Sequence, residues 1–141
     1  MVLYAKDIVE SDFISLSGNT SALEAAKHMK QKKHGFVLVT SDGAPIGIVT
    51  EWDLVSRILA DEMSPSSITI KEIMSPNVVS VKASDGIDFV SKLMAGKGIR
   101  RVLVMDKGKI IGVITAKTVL LRLEDYINSI STQIARLHSP I

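Results

Sequence analysis

Cysteine is absent from this chain of 141 residues, and aromatic side chains make up only 4% of it. Without cysteine there can be no disulfide, no thiolate metal site and no cysteine nucleophile. The charge balance is almost even, with 17 basic and 15 acidic residues and a net charge of +2 at pH 7. So small an excess gives no reason to expect a nucleic-acid or membrane partner.

Long apolar runs are also missing. Apolar runs such as residues 102–105 and 110–114 fall far short of the roughly 18 to 20 residues that a membrane helix needs. The start of the chain lacks the basic residues and apolar stretch of a signal peptide. The three histidines show neither metal-ligand spacing nor a paired nucleophile. We therefore expect a cytoplasmic protein that is not an enzyme, with no catalytic residue and no metal site.

The main positive feature is an internal duplication. Shifting the chain by 65 positions lays residues 6–59 over residues 71–124 without a gap, and 14 of the 54 pairs are identical. The matches include three consecutive residues, Val37 to Val39 over Val102 to Val104. Similarity that stays in register over this length indicates two copies of one structural unit. We predict repeats at 4–60 and 70–124, a linker at 61–69, and a C-terminal amphipathic helix and tail at 125–141.

Each repeat has the pattern β-α-β-β-α. Short β-rich runs precede a helical stripe, and two further strands flank a short loop that ends in Gly43 or Gly108, as a hairpin turn requires. The predicted fold class is therefore α+β with α/β-like repeats. A unit this small buries a poor fraction of its surface alone, so we expect the two repeats to pack through their sheets with pseudo-twofold symmetry. Two equivalent clefts between them are where function is expected.

The segment that joins the third strand to the last helix carries the most specific motif. It reads Gly47-Ile48-Val49-Thr50-Glu51-Trp52-Asp53 in the first repeat and Gly112-Val113-Ile114-Thr115-Ala116-Lys117-Thr118 in the second. With this motif, residues 4–124 resemble a tandem pair of CBS domains, the repeats named after cystathionine beta-synthase. The second copy departs from the pattern at its last position, where Thr118 replaces the aspartate.

The resemblance implies a site for an adenine nucleotide. In the family the aspartate takes the ribose hydroxyls, the threonine lies by ribose and phosphate, apolar residues flank the adenine, and arginines suit the phosphate. Carried over, the ligand-binding residues are Thr50, Asp53, Met74, Val78, Val79, Ile99, Arg100 and Arg101. The spacing of Thr50 and Asp53 also fits a plain helix capping box, and the apolar residues also fit ordinary core packing.

The same carry-over gives a second cleft, which we expect to be weak, differently specific or empty. Its residues are Thr115, Thr118, Phe13, Ile14, His34 and Gly35. Thr118 offers one oxygen and no charge where the first repeat has a carboxylate.

The predicted function is a non-catalytic regulatory module. It binds AMP, ADP or ATP, with AMP as the first choice, as a regulatory ligand rather than a catalytic cofactor, and acts as an energy sensor for an unidentified regulated protein. The alternatives are a sensor of S-adenosylmethionine or another adenosyl ligand, and a ligand-free dimerisation scaffold; nucleic-acid binding is a distant third. Apolar residues 126–137 recur at helical spacing and favour contact in a homodimer.

Overall fold

Two three-stranded sheets, one in each repeat, form the framework of the protein, which a computed structural model describes over residues 3–137. Both sheets keep the strands in chain order, with the first pair parallel and the second pair antiparallel. The elements in chain order are α1 (Ala5–Ile8), β1 (Ile14–Ser17), α2 (Ala22–Lys32), β2 (Phe36–Ser41), β3 (Ala44–Thr50), α3 (Glu51–Leu54) with its π-helical continuation (Val55–Leu59), α4 (Ile70–Ile73), β4 (Ser80–Lys82), α5 (Ile87–Lys97), β5 (Arg101–Asp106), β6 (Lys109–Thr115) and α6 (Ala116–Leu137). The predicted α+β fold class with a C-terminal helix is confirmed.

The chain divides into two compact units. The N unit is Asp12–Val78, with the sheet β1-β2-β3 and helix α4. The C unit combines residues 3–11 with residues 79–137, so that α1 packs with the sheet β4-β5-β6. Helix α1 comes just before the first strand of repeat 1 but belongs to the C unit. Helix α4 comes just before the first strand of repeat 2 but belongs to the N unit. The predicted repeat and linker boundaries describe the duplicated stretches of sequence and stay a prediction.

Local sequence signals account for the helix and hairpin ends. The Ser21 hydroxyl accepts a hydrogen bond from the Glu24 N–H at 3.1 Å and so caps the start of α2. The β2-β3 turn places Asp42 and Gly43 at φ 51° and 80°, and the β5-β6 turn repeats this with Lys107 and Gly108. Two successive left-handed residues match the right-handed twist of a hairpin, and this confirms the predicted turns.

Each unit has its own apolar core. In the N unit, Val37 and Val39 on the central strand have no exposed surface, and the stripe of α2 buries Ala25 and Met29 against that sheet. The C unit repeats the arrangement with equivalent residues: Val90, Met94, Val102 and Val104. In each unit, therefore, the sheet and the helix that follows its first strand are joined by a shared apolar core.

Helix α6 is a single helix from Ala116 to Leu137. It joins the last helix of the second repeat to the predicted tail helix without a break; residues 138–141 of that tail lie outside the described residues. None of the helices within residues 3–137 has both the length and the hydropathy needed to cross a membrane.

Candidate functional site

The carboxylate of Asp53 is held where β3 passes into α3. Its Oδ2 accepts hydrogen bonds from the Thr50 N–H at 2.8 Å and from the Thr50 hydroxyl at 3.1 Å. In return the Thr50 hydroxyl accepts from the Asp53 N–H at 3.4 Å. The predicted capping box is therefore formed, and Asp53 is only 6% exposed. These hydrogen bonds set the orientation of the carboxylate.

Arg57 lies one helical turn beyond Asp53 and connects it to a second segment. Its Nε is 3.9 Å from Asp53 Oδ1, and one guanidinium nitrogen donates to the carbonyls of Ile73 at 3.0 Å and Met74 at 3.5 Å. Because Asp53 is buried, a nearby cation balances its charge. Arg57 thus fixes the carboxylate relative to the backbone that follows α4.

The segment after α4 lies directly against β3. Ile48 and Ser75 exchange two backbone hydrogen bonds, of 3.0 and 2.9 Å. The approach is possible because position 47 is glycine, since a Cβ there would lie 2.8 Å from Met74 Cγ and 2.9 Å from the Ser75 oxygen. In the N unit, therefore, Thr50, Asp53 and Met74 belong to one connected cluster with Arg57.

The C unit contains the equivalent junction with different chemistry. Thr118 stands at the position of Asp53 and is 8% exposed. Its N–H donates to the Thr115 hydroxyl at 3.1 Å, and the two hydroxyls are 2.9 Å apart. The Thr118 hydroxyl also donates to the carboxylate of Glu10. A carboxylate is thus present here as well, supplied by a residue 108 positions away in sequence.

Glu10 is positioned by the same strand contact as Ser75. Its backbone exchanges two hydrogen bonds of 2.9 Å with Val113. The approach again depends on glycine, because a Cβ at Gly112 would lie 2.9 Å from the Glu10 carbonyl carbon. Arg122, the equivalent of Arg57, donates to the Asp7 carbonyl at 3.5 Å. The two clusters therefore share one backbone design.

The remaining predicted residues are divided between the two units. Val78 lies in the N unit, half-buried; Val79, Ile99, Arg100 and Arg101 lie in the C unit. The Arg100 carbonyl accepts from the Ala116 N–H at 2.9 Å, so this pair of arginines leads into β5 beside the start of α6. Their assignment to the Asp53 site stays a prediction.

The predicted second cleft is divided in the same way. Thr115 and Thr118 lie in the C unit, whereas four residues lie in the N unit: Phe13, Ile14, His34 and Gly35. His34 Nε2 is 3.8 Å from Asp12, and the Gly35 carbonyl accepts from the Glu51 N–H at 3.0 Å. The grouping of these six residues in one site stays a prediction as well.

Sequence reasoning missed Arg57 and Glu10. Arg57 had a signal, since it is identical to Arg122 in the duplication and lies one turn after Asp53. Glu10 also had one: at the position equivalent to Ser75 the chain has a glutamate, and this glutamate belongs to the unit whose motif ends in Thr118 instead of aspartate.

Comparison with known proteins identifies the class. The family model described as "CBS domain" matches the chain twice, at residues 5–60 and 70–125. The chain therefore belongs to the CBS domain family and contains a tandem CBS pair. Such pairs are known as regulatory, ligand-binding modules.

Individual relatives extend this likeness. An uncharacterised protein of Methanopyrus kandleri is 34% identical over 123 residues, which cover 86% of this chain and 62% of the relative. The homoserine O-acetyltransferase of Methanohalobium evestigatum is 30% identical over 87% of this chain. This chain spans only 24% of that enzyme's length, so the likeness concerns a small part of it.

Two solved structures share the fold closely. The hexameric CBS-CP12 protein from bloom-forming cyanobacteria is 30% identical with a TM-score of 0.77, covering 97% of this chain and 82% of that one. The CBS domain pair of protein MJ0100, solved in complex with 5′-methylthioadenosine and S-adenosyl-L-methionine, is 26% identical with a TM-score of 0.78. That likeness covers 89% of this chain and 99% of the other.

Proposed function

We propose that this protein is a non-catalytic regulatory module that binds an adenine nucleotide, AMP by first choice, and signals its presence to a partner protein. The observation that carries the proposal is the buried carboxylate of Asp53, held between Thr50 and Arg57 beside the backbone of Met74. A carboxylate has about four lone-pair positions, and Thr50 uses two on Oδ2. The others suit the two neighbouring hydroxyls of a ribose.

Arg100 and Arg101 are the proposed phosphate contacts. A guanidinium presents a planar fork of donors that matches phosphate oxygens. Binding regulates a partner only if the ligand prefers one conformation of the protein over another, since equal affinity for both would shift no population.

Calorimetric titration with AMP tests the role of Asp53. Asp53→Asn keeps the shape and removes the charge, so each hydroxyl contact falls from a charged to a neutral hydrogen bond, a loss of about 1 kcal/mol apiece. We expect binding to weaken by at least tenfold. Glu51→Gln, an exposed carboxylate two residues away, should leave affinity unchanged. Equal affinities for wild type and Asp53→Asn, whatever the change in thermal unfolding, would remove Asp53 from the site.

A second candidate ligand is S-adenosylmethionine or its product 5′-methylthioadenosine. The structural likeness to the MJ0100 pair, which holds both compounds, favours it. All these ligands share the adenosine that Asp53 would read, and they differ in charge beyond it. Competition between AMP and S-adenosylmethionine for the same site decides the order, because a sulfonium should not be drawn to the arginines, whereas a phosphate should.

We further propose that the protein is a homodimer joined along α6. Apolar residues with spacings of three and four form a seam on this helix, all at least 37% exposed: Leu120, Leu123, Ile127, Ile130, Ile134 and Leu137. This is the repeat that pairs helices in a coiled coil. A ligand-free scaffold would also use the seam, but nucleotides would not raise its melting temperature. A binder gains about 2.7 kcal/mol at a ligand concentration of a hundred times Kd.

A further inference from the structure

The two units carry their acidic residue at different positions. In the N unit the motif ends in Asp53, and the residue that pairs with β3 is Ser75, which follows Met74. In the C unit the motif ends in Thr118, and the residue that pairs with β6 is Glu10. Each unit therefore holds one acidic residue and one hydroxyl residue, with the acid at the helix start in the N unit and on the segment paired with the third strand in the C unit.

The carboxylate of Glu10 lies beside Thr118, the residue equivalent to Asp53. The backbone of Glu10 is fixed by its paired hydrogen bonds to Val113, and its side chain reaches far enough for Oε1 to accept from the Thr118 hydroxyl. Within residues 3–137, this is the one side-chain hydrogen bond of Glu10. The second oxygen, Oε2, thus keeps its acceptor capacity at the start of α6.

We propose that the C unit is a second ribose-binding site in which Glu10 supplies the carboxylate that position 118 lacks. This inference deepens the proposed function and rests on it. The ligand class is the same, a nucleoside with vicinal ribose hydroxyls: Oε2 accepts one hydroxyl and Thr118 contacts the other. The site that the motif alone marks as weakened is therefore a complete one.

Thr118 and Glu10 have unequal parts in this site. The Thr118 hydroxyl is shared between Thr115 and Glu10, so it orients the carboxylate. Glu10 carries the charge that makes hydrogen bonds to hydroxyls strong. Glu10→Gln keeps a partner for Thr118 but removes that charge, so it should alter ligand binding without unfolding the unit.

Binding stoichiometry tests the proposal, with AMP as the probe and the full chain as the protein. Wild type should bind two molecules of AMP per chain. Asp53→Asn and Glu10→Gln should each weaken one of the two sites by at least tenfold and leave the other, and the double variant should lose both. Glu124→Gln, an exposed carboxylate on α6, should behave as wild type.

The outcomes separate the two proposals. If wild type binds a single AMP and Asp53→Asn weakens it while Glu10→Gln does not, the second site is refuted and the first stands. If wild type binds no AMP and no other adenosine compound, both are refuted. A structural role alone would lower the melting temperature of Glu10→Gln with stoichiometry unchanged, which also refutes the site. 2′-Deoxy-AMP, with one ribose hydroxyl, should bind at least tenfold more weakly at both.

Discussion

Replacing Gly47 by alanine tests the close contact on which the Asp53 site depends. The added Cβ would lie 2.8 Å from Met74 Cγ and 2.9 Å from the Ser75 oxygen. The methionine is flexible and can move. The Ser75 oxygen cannot easily do so, because it accepts the Ile48 N–H at 3.0 Å. The segment after α4 must therefore shift away from β3, and the carbonyls that Arg57 holds shift with it.

The magnitude follows from the size of the overlap. Ordinary carbon contacts lie at about 3.5 to 4.0 Å, so relief requires a backbone movement of roughly half an ångström or more. Overpacking of this kind costs about 1 to 3 kcal/mol. For a chain of this size we expect the melting temperature to fall by about 3 to 9 °C. AMP affinity should fall as well, because Asp53 and Met74 lose their fixed relation.

Gly96→Ala is the matched control. Gly96 lies in α5, and apart from its chain neighbours and the backbone of its own helix, no atom of residues 3–137 lies within 4 Å of a Cβ built there. The same substitution should be neutral or stabilise by up to about 1 kcal/mol, since alanine is the better helix former. Thermal unfolding followed by circular dichroism measures both variants. Equal melting temperatures for Gly47→Ala and wild type would refute the argument from close contact.

Two further predictions concern pH and assembly. The hydrogen bonds that Glu72 accepts from the Thr69 N–H and hydroxyl hold its pKa below the ordinary 4.5, so this contribution to stability is present above that value and is lost as pH falls below it. Glu72→Gln should therefore flatten the decline of the melting temperature on the acid side, and an unchanged profile would contradict this. Ile127→Asp with Ile134→Asp should convert the proposed dimer to a monomer in light scattering, whereas Ser131→Asp on the same helix should not. A monomeric wild type would refute the proposed seam.

Much of the fold could be predicted because its signals are local. Ser21 caps α2, Gly43 and Gly108 close the hairpins, and both follow from backbone chemistry within a few residues. The exchange of α1 and α4 between repeats could not be predicted this way. Hydrophobic periodicity shows that a short helix has a buried side, but not which of two similar sheets covers it.

In the candidate site, too, local contacts could be predicted from the sequence and long-range contacts could not. Thr50 and Asp53 are three residues apart, and spacing alone predicts their mutual hydrogen bonds. The contact of Thr118 with Glu10 spans 108 residues, and no local pattern encodes it. The contact can be recognised only when the two repeats are compared position by position. The comparison then shows that Thr118 lacks the carboxylate of Asp53 and that Glu10 has a carboxylate where Ser75 has none.

Helix length gives a physical reason why the last position of the motif is aspartate in the first repeat and can be threonine in the second. The helical run from Glu51 to Leu59 is short, and helices below about 12 to 15 residues are marginal without help. Its capping box, worth about 0.5 to 2 kcal/mol, ties Asp53 to its place. Helix α6 has 22 residues and tolerates a start in which the Thr118 side chain does not cap the Thr115 N–H.

Loss of Asp53 and loss of Glu10 should affect stability and ligand affinity in different proportions. Asp53 serves the helix start and the proposed ribose contact together, so its loss should lower stability and affinity at once. Glu10 caps no helix in the structure, and its carboxylate makes a single hydrogen bond to Thr118 within residues 3–137. Its loss should therefore lower affinity with little change in stability. Since the two variants differ in this ratio, comparing their melting temperatures with their binding constants distinguishes a residue shared between fold and ligand from one that serves the ligand alone.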